Sequence, residues 1–195
     1  MIDLLKENIE RTIGVPIPTG NCATFSDLLF EKSFDKKDIL VEEGHLCKHI
    51  YFITQGSCSS SITDEKGEAH AIQFALEGYW IADLYSFFSG KKSIYTVEAL
   101  EPTKALVLNK ESFQKACDTM PIFDKYFRVL IQNAFVALQY RLAKTNSEDA
   151  EHRYSEFSKT HPDFVQRIPQ YLIASYLGIK PQSLSRIRKE LALKR

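Results

Sequence analysis

Lys180, Gln182, Ser183, Ser185, Arg186 and Lys189 form the set of side chains in this sequence best suited to a recognisable chemistry. That chemistry is recognition of double-stranded DNA. A glutamine can pair with adenine through two hydrogen bonds and an arginine with O6 and N7 of guanine, each pair discriminating by about 1–3 kcal/mol. Lys180, together with Arg188, Lys194 and Arg195, is better suited to phosphates, which position a protein without reading sequence. No catalytic set competes with this one: the chain shows no nucleophile–base pairing, no P-loop and no G-x-G-x-x-G. "HLCKH" places His45, Cys47 and His49 at alternate positions, but a metal would need a fourth ligand and a deprotonated sulfur. An iron–sulfur cluster needs four thiolates, and the N-terminal region offers only Cys22.

The surrounding stretch "IASYLGIKPQSLSRIRKEL" explains how such a set would be presented. Ile168, Leu172, Ile173 and Leu177 line a helix starting near Pro169, and Gly178 supplies the left-handed residue that ends it. Pro181 opens a second helix whose inner face is Leu184, Ile187 and Leu191, leaving Gln182, Ser185, Arg186 and Lys189 outside. Two helices across a tight glycine turn, with Ala174 where the backbones approach, predict a helix-turn-helix. Charge agrees with this. The chain is neutral overall, yet residues 167–195 carry seven Lys/Arg against the single acid Glu190. A basic end on a neutral protein suits a polyanion partner.

The remaining elements follow from pattern. Leu4, Leu5, Ile9 and Ile13 predict a helix over 3–13, broken by "GVPIPTGN". From Phe34 to Leu108, short apolar or alternating runs are punctuated by Gly44, Gly56, Gly67, Gly78 and Gly90, which predicts an antiparallel sandwich or barrel with a hairpin at "TDEKGEA". "NKESFQKACDTMP" reads as a short helix stopping at Pro121, and 122–143 as a long one. The long helix is apolar on more than one side. Phe127, Leu130, Ile131, Ala134, Phe135, Leu138 and Leu142 share a broad face, with Phe123, Tyr126, Val136 and Tyr140 beyond it. A helix with two apolar sides suits packing on its own domain and on a second copy. Thr145 and Glu148 match a capping box for a helix over about 147–159, and "THPDFVQRIP" reads as a loop. No signal peptide or membrane-spanning run is visible and the four cysteines are scattered, so a cytoplasmic protein is expected.

Taken whole, the chain resembles the Crp/Fnr family of bacterial transcription regulators. "DKKDILVEEGHLCKHIYFITQGSC" is similar to the first strands of the cyclic-nucleotide-binding β-roll, "EGYWIADLYSFFSGKKSIYTVEALE" to the segment that cradles phosphate, and "IASYLGIKPQSLSRIRKEL" to the helix-turn-helix. The resemblance implies an α+β protein in three parts: a jelly-roll-like antiparallel β-roll sensor domain (1–120), a dimerisation helix (121–144) and a small helical DNA-binding domain (145–195). It also implies a homodimer on a palindromic site, with double-stranded DNA, a small-molecule effector and RNA polymerase as partners. The alternative is a ligand-binding module that regulates a protein partner.

Residue by residue, the resemblance places a ligand pocket at Gly78, Trp80, Ala82, Asp83, Leu84, Ser93 and Ile94. Two departures bear on it. Ser93 stands where the family has the arginine that neutralises the cyclic phosphate, and a hydroxyl supplies no charge. Cyclic AMP is therefore not the expected ligand, although Asp83 keeps a carboxylate able to accept from a ribose hydroxyl. The sequence also stops at Arg195, before the two-stranded wing of the family, and has Pro181 and Gln182 where the family has an Arg-Glu pair.

Overall fold

A computed structural model describes residues 2–193; Lys194 and Arg195, expected at phosphates, lie outside the described residues. The chain opens with α1 (Ile2–Ile13) and α2 (Thr19–Ser26) and then builds eight strands. These are β1 (Phe30–Phe34), β2 (Ile39–Val41), β3 (His49–Gln55), β4 (Cys58–Thr63), β5 (Ala69–Ala75), β6 (Trp80–Ile81), β7 (Thr96–Ala99) and β8 (Thr103–Asn109). One short helix, α3 (Leu84–Ser89), interrupts them. The strands form two antiparallel sheets, ordered β1-β8-β3-β6 and β2-β7-β4-β5. Phe52, Ile53, Val97, Ala99, Leu106 and Leu108 are buried in their core. Gly56 is obligatory at the β3–β4 turn: its φ is +94° and a Cβ would lie 2.5 Å from the Thr103 hydroxyl.

Helices follow: α4 (Lys110–Thr119), α5 (Pro121–Ser147), α6 (Ala150–Thr160), α7 (Pro162–Arg167), α8 (Gln170–Tyr176) and α9 (Pro181–Leu193). The start of α5 buries Phe123, Tyr126 and Phe127 against the sheet domain, while residues 131–140 are exposed on every side. Helices α6–α9 share a second core of Tyr154, Phe157, Phe164, Leu172, Ile173, Leu184 and Ile187, which Ala71, Phe74 and Leu76 of the β5 region join. The two parts are fastened there. Ser175 of α8 accepts from the Ala71 amide (2.9 Å) on the edge strand β5, and Tyr176 lies 5.1 Å from Phe74. Arg167 bridges Glu77 (2.6 Å) and Glu101 (2.7 Å).

Several sequence expectations need correction. Helix α4 ends at Thr119, ahead of Pro121 as expected, but Pro121 is itself the first residue of α5, where a first-turn proline loses no helical hydrogen bond. Thr145 lies inside α5 with its hydroxyl on the Arg141 carbonyl, and α6 is capped instead by Asp149, which accepts from the His152 amide (2.8 Å). The segment 161–169 holds α7, whose Phe164 fills the helical core. The elements α2, β1 and β6 carried no strong period and were not anticipated.

Candidate nucleic-acid interface and ligand cradle

The turn between α8 and α9 is built by local chemistry. Gly178 adopts φ +64°, its amide bonds to the Ser175 carbonyl (3.1 Å), and the Ile179 amide bonds to the Ala174 carbonyl (2.8 Å). This pair of bonds is the Schellman ending of a helix. Arg153 of α6 locks the turn from behind, donating to the Leu177 carbonyl (3.0 Å) and the Gly178 carbonyl (3.3 Å). Leu184 and Ile187 bury the underside of α9.

Its outer side is open. Gln182, Ser185, Arg186 and Lys189 are exposed and fall within an arc of about 100° at 100° per residue. Ser183 sits half-buried at the rim, and Lys180 is exposed in the turn. Among the described residues, the side chains of Gln182, Ser185 and Lys189 have no partner within the chain. Arg186 has one loose partner, Glu190 at 3.8 Å, in a pair that is 76% and 49% exposed. An exposed pair of this kind contributes about 0–1 kcal/mol and is readily exchanged.

The residues of the expected ligand pocket fall into two hydrogen-bonded groups. Asp83, Ser93 and Ile94 come together with Ala82 and Leu84 at the start of α3. Gly78 and Trp80 lie elsewhere, in a network that joins α1 to α5. There the Trp80 indole donates to the Tyr126 hydroxyl (2.7 Å), Tyr126 donates to Asn8 Oδ1 (2.6 Å), and Asn8 Nδ2 donates to the Gly78 carbonyl (2.8 Å). The Trp80 ring also packs on Phe52 and Phe127.

Asp83 is fully buried. Its Oδ1 caps α3 by accepting from the Ser86 amide (3.1 Å), and its Oδ2 accepts from the Ser93 hydroxyl (2.7 Å) and the Ile94 amide (2.9 Å). The Ser93 hydroxyl also lies 2.8 Å from the Tyr95 carbonyl, but a charged acceptor makes the stronger bond. Burial raises the Tyr95 phenol above its ordinary value, with the Asp83 charge adding to the effect. Lys91 and Lys92 are exposed, so no cation enters the cradle from that loop.

Ser86 and Cys47 are participants that the sequence reading missed. The Cys47 amide donates to Ser86 Oγ (2.9 Å) and Ser86 Oγ donates to the Lys91 carbonyl (2.6 Å), which pins α3 to the "HLCKH" segment. Within that segment Cys47 turns its sulfur to the His49 carbonyl (3.2 Å), and His45 pairs with Glu42 (3.3 Å). Burial raises the Cys47 thiol above its ordinary value.

A double-sheet roll, a long helix and an exposed polar helix on a glycine turn follow one another along the chain. The Cyclic nucleotide-binding domain model matches residues 31–120. The "cAMP-activated global transcriptional regulator CRP" of Escherichia coli O157:H7 is 24% identical, over 81% of this chain and 80% of the relative. FixK2 from Bradyrhizobium japonicum superposes with a TM-score of 0.71 at 17% identity, over 85% of each chain. The c-di-GMP responsive regulator CLP of Xanthomonas campestris gives 0.69 at 13%, over 91% of this chain and 93% of that one. Residues 31–120 thus match a cyclic nucleotide-binding domain, and over most of its length the chain is similar to transcription regulators of the Crp/Fnr type.

A cyclic nucleotide, the ligand the family model implies, does not fit these residues. The Ser93 hydroxyl and Ile94 amide, which stand at the phosphate position of the family, are both engaged by Asp83. An added phosphate would meet a buried carboxylate that already holds the donors it would need.

Proposed function

We propose that this protein is a DNA-binding regulator that acts as a homodimer on a palindromic duplex and catalyses no reaction. The carrying observation is the exposed Gln182/Ser185/Arg186/Lys189 arc, held rigidly on buried Leu184 and Ile187 and unpaired with the rest of the chain apart from the loose Arg186–Glu190 contact. A rigid helix presenting such residues matches the geometry of major-groove readers. Residues 1–120, 121–144 and 145–195 are the sensor, dimerisation and DNA-binding parts in this reading. The cytoplasm is its location, in keeping with the lack of any helix among the described residues long and apolar enough to cross a membrane.

The dimer rests on α5. Ile131, Phe135, Leu138 and Leu142 are all exposed, at the 4-3-4 spacing of a coiled-coil seam. Pairing there sets two α9 helices about one DNA turn, or ~34 Å, apart. An effector acting through the roll belongs to this reading on one condition: it enters without using the cradle that Asp83 fills. RNA polymerase remains the partner that the family resemblance implies.

Selection of bound sequences from random duplexes tests the proposal. An inverted repeat is expected, with affinity falling roughly 10³-fold or more between about 50 and 200 mM salt if six or more phosphates are contacted. No enrichment, or affinity indifferent to salt, would overturn it in favour of a protein partner docked on apolar anchors.

A further inference from the structure

We infer that the Asp83 carboxylate is the anion of this β-roll. It is an intramolecular occupant of the oxyanion cradle, and with it in place the cradle is complete without any phosphate-bearing effector. The inference goes beyond DNA binding and does not rest on it.

The argument is one of donor accounting. Three donors converge on one buried side chain: the Ser86 amide, the Ser93 hydroxyl and the Ile94 amide. Convergent donors without a cation are how a backbone nest holds a small oxyanion. Here the oxyanion is supplied by the chain, from the first residue before α3, and it caps that helix at the same time. The serine at position 93 is then no defect of a phosphate site. An arginine there would pair with Asp83 itself, whereas a serine is short enough to donate within the closed loop.

Filling the cradle also fixes what lies beyond it. Helix α3 carries Phe87, which is buried and lies 5.6 Å from Phe113 of α4; Phe113 in turn lies 4.7 Å from Phe127 of α5. The carboxylate thus holds α3 in the position where its aromatic ring buttresses the long helix. The roll keeps this arrangement with its own anion where a ligand-dependent relative would need one from solution.

Two measurements on the full chain test the inference. In calorimetric titration, cyclic AMP, cyclic GMP and cyclic di-GMP should each give no saturable binding to the wild-type protein. Stoichiometric binding of any of them with a Kd below ~10 μM would overturn it. In thermal unfolding, Asp83→Ala should lower Tm by about 5–10 °C. Acetate, but not chloride at equal ionic strength, should restore at least half of the loss with a saturable dependence. An unchanged Tm, or equal effects of the two salts, would sink the idea.

Should Asp83→Ala not fold, Asp83→Asn serves in the same scan. It keeps one acceptor for the Ser86 amide but sets an amide donor against a donor on the other side. A lowered Tm is expected. A Tm equal to the wild type would show that the carboxylate's charge has no role, and the inference would fail.

Discussion

The cradle at α3 and the outer face of α9 are both polar, both set by a helix start, and opposite in their chemistry. At the cradle every donor that faces inward finds an acceptor: Ser86, Ser93 and Ile94 donate to Asp83, and Cys47 donates to Ser86. On α9, Gln182, Ser185 and Lys189 have no partner among the described residues and Arg186 has only an exposed one. Buried polar groups must be satisfied within the chain because water cannot reach them, while exposed ones can wait for a ligand. A polar cluster satisfied from within the chain therefore suits a structural role, and an unsatisfied exposed face suits recognition.

The sharpest way to break this contrast is to truncate the open face. Arg186→Ala should weaken binding to the selected duplex by about 10–100-fold and relax the preference at one base position, as loss of a bidentate base contact does. Its Tm should stay within about 1 °C of wild type, because the Glu190 pair it loses is an exposed one. Competition titrations with single-position duplex variants, run beside thermal scans, check both halves. A large fall in Tm with unchanged DNA affinity would reverse the roles assigned to the two regions.

The cradle should show the mirror image. Ser93→Ala removes a buried donor from Asp83 and leaves the Ile94 amide as the sole bond on that oxygen. The cost is about 1–3 kcal/mol, which corresponds to a Tm lower by roughly 3–9 °C in a chain of this length. The preferred DNA sequence should not change, because no atom of the cradle is part of the reading face. Repeating the duplex selection with this variant tests that separation.

Both regions were legible in the sequence to different depths. The α8–turn–α9 unit could be read because each of its signals is local: Gly178 for the left-handed residue, Pro181 for a first turn, and Leu184 and Ile187 at i, i+3. The absence of a charge opposite a phosphate could also be read, from Ser93. That Asp83 itself fills the space could not, because the Ser93 and Ile94 contacts span ten and eleven residues and depend on how the α3–β7 loop folds back. The bond made by Trp80 was hidden for a related reason. Its indole is claimed by Tyr126, 46 residues away, and no local pattern announces an aromatic hydrogen bond of that range. Helix α7 was hidden by its own ends, since six residues between prolines look like a loop until Phe164 is seen to fill a core.

The smallest expected effect concerns pH at the seam between the two parts. His161 sits against Phe157 (5.2 Å) and Phe164 (5.4 Å), in a cleft it shares with Glu77, Tyr79, Asp163 and Arg167. Burial lowers its pKa below the ordinary 6.5. The folded state therefore favours the neutral ring. This stabilisation is complete above about pH 6.5 and is lost as pH falls through the lower folded value. Glu77 acts further down the scale. Burial alone would raise it, but bonds from Arg167 and the Gly56 amide hold it below the ordinary 4.5, so its contribution persists until pH falls past that point. In the sheet domain His49 is also lowered by burial, so it adds a slope of the same sign elsewhere in the molecule. Isolating the seam thus needs His161→Phe, which keeps an aromatic ring between Phe157 and Phe164 and removes the titration. From pH 7 to pH 5.5 the wild-type Tm should drop by about 1–2 °C more than that of His161→Phe. Equal slopes would mean that the ring at position 161 is hydrated in solution and that the cleft beside Glu77 is wetter than its packing implies.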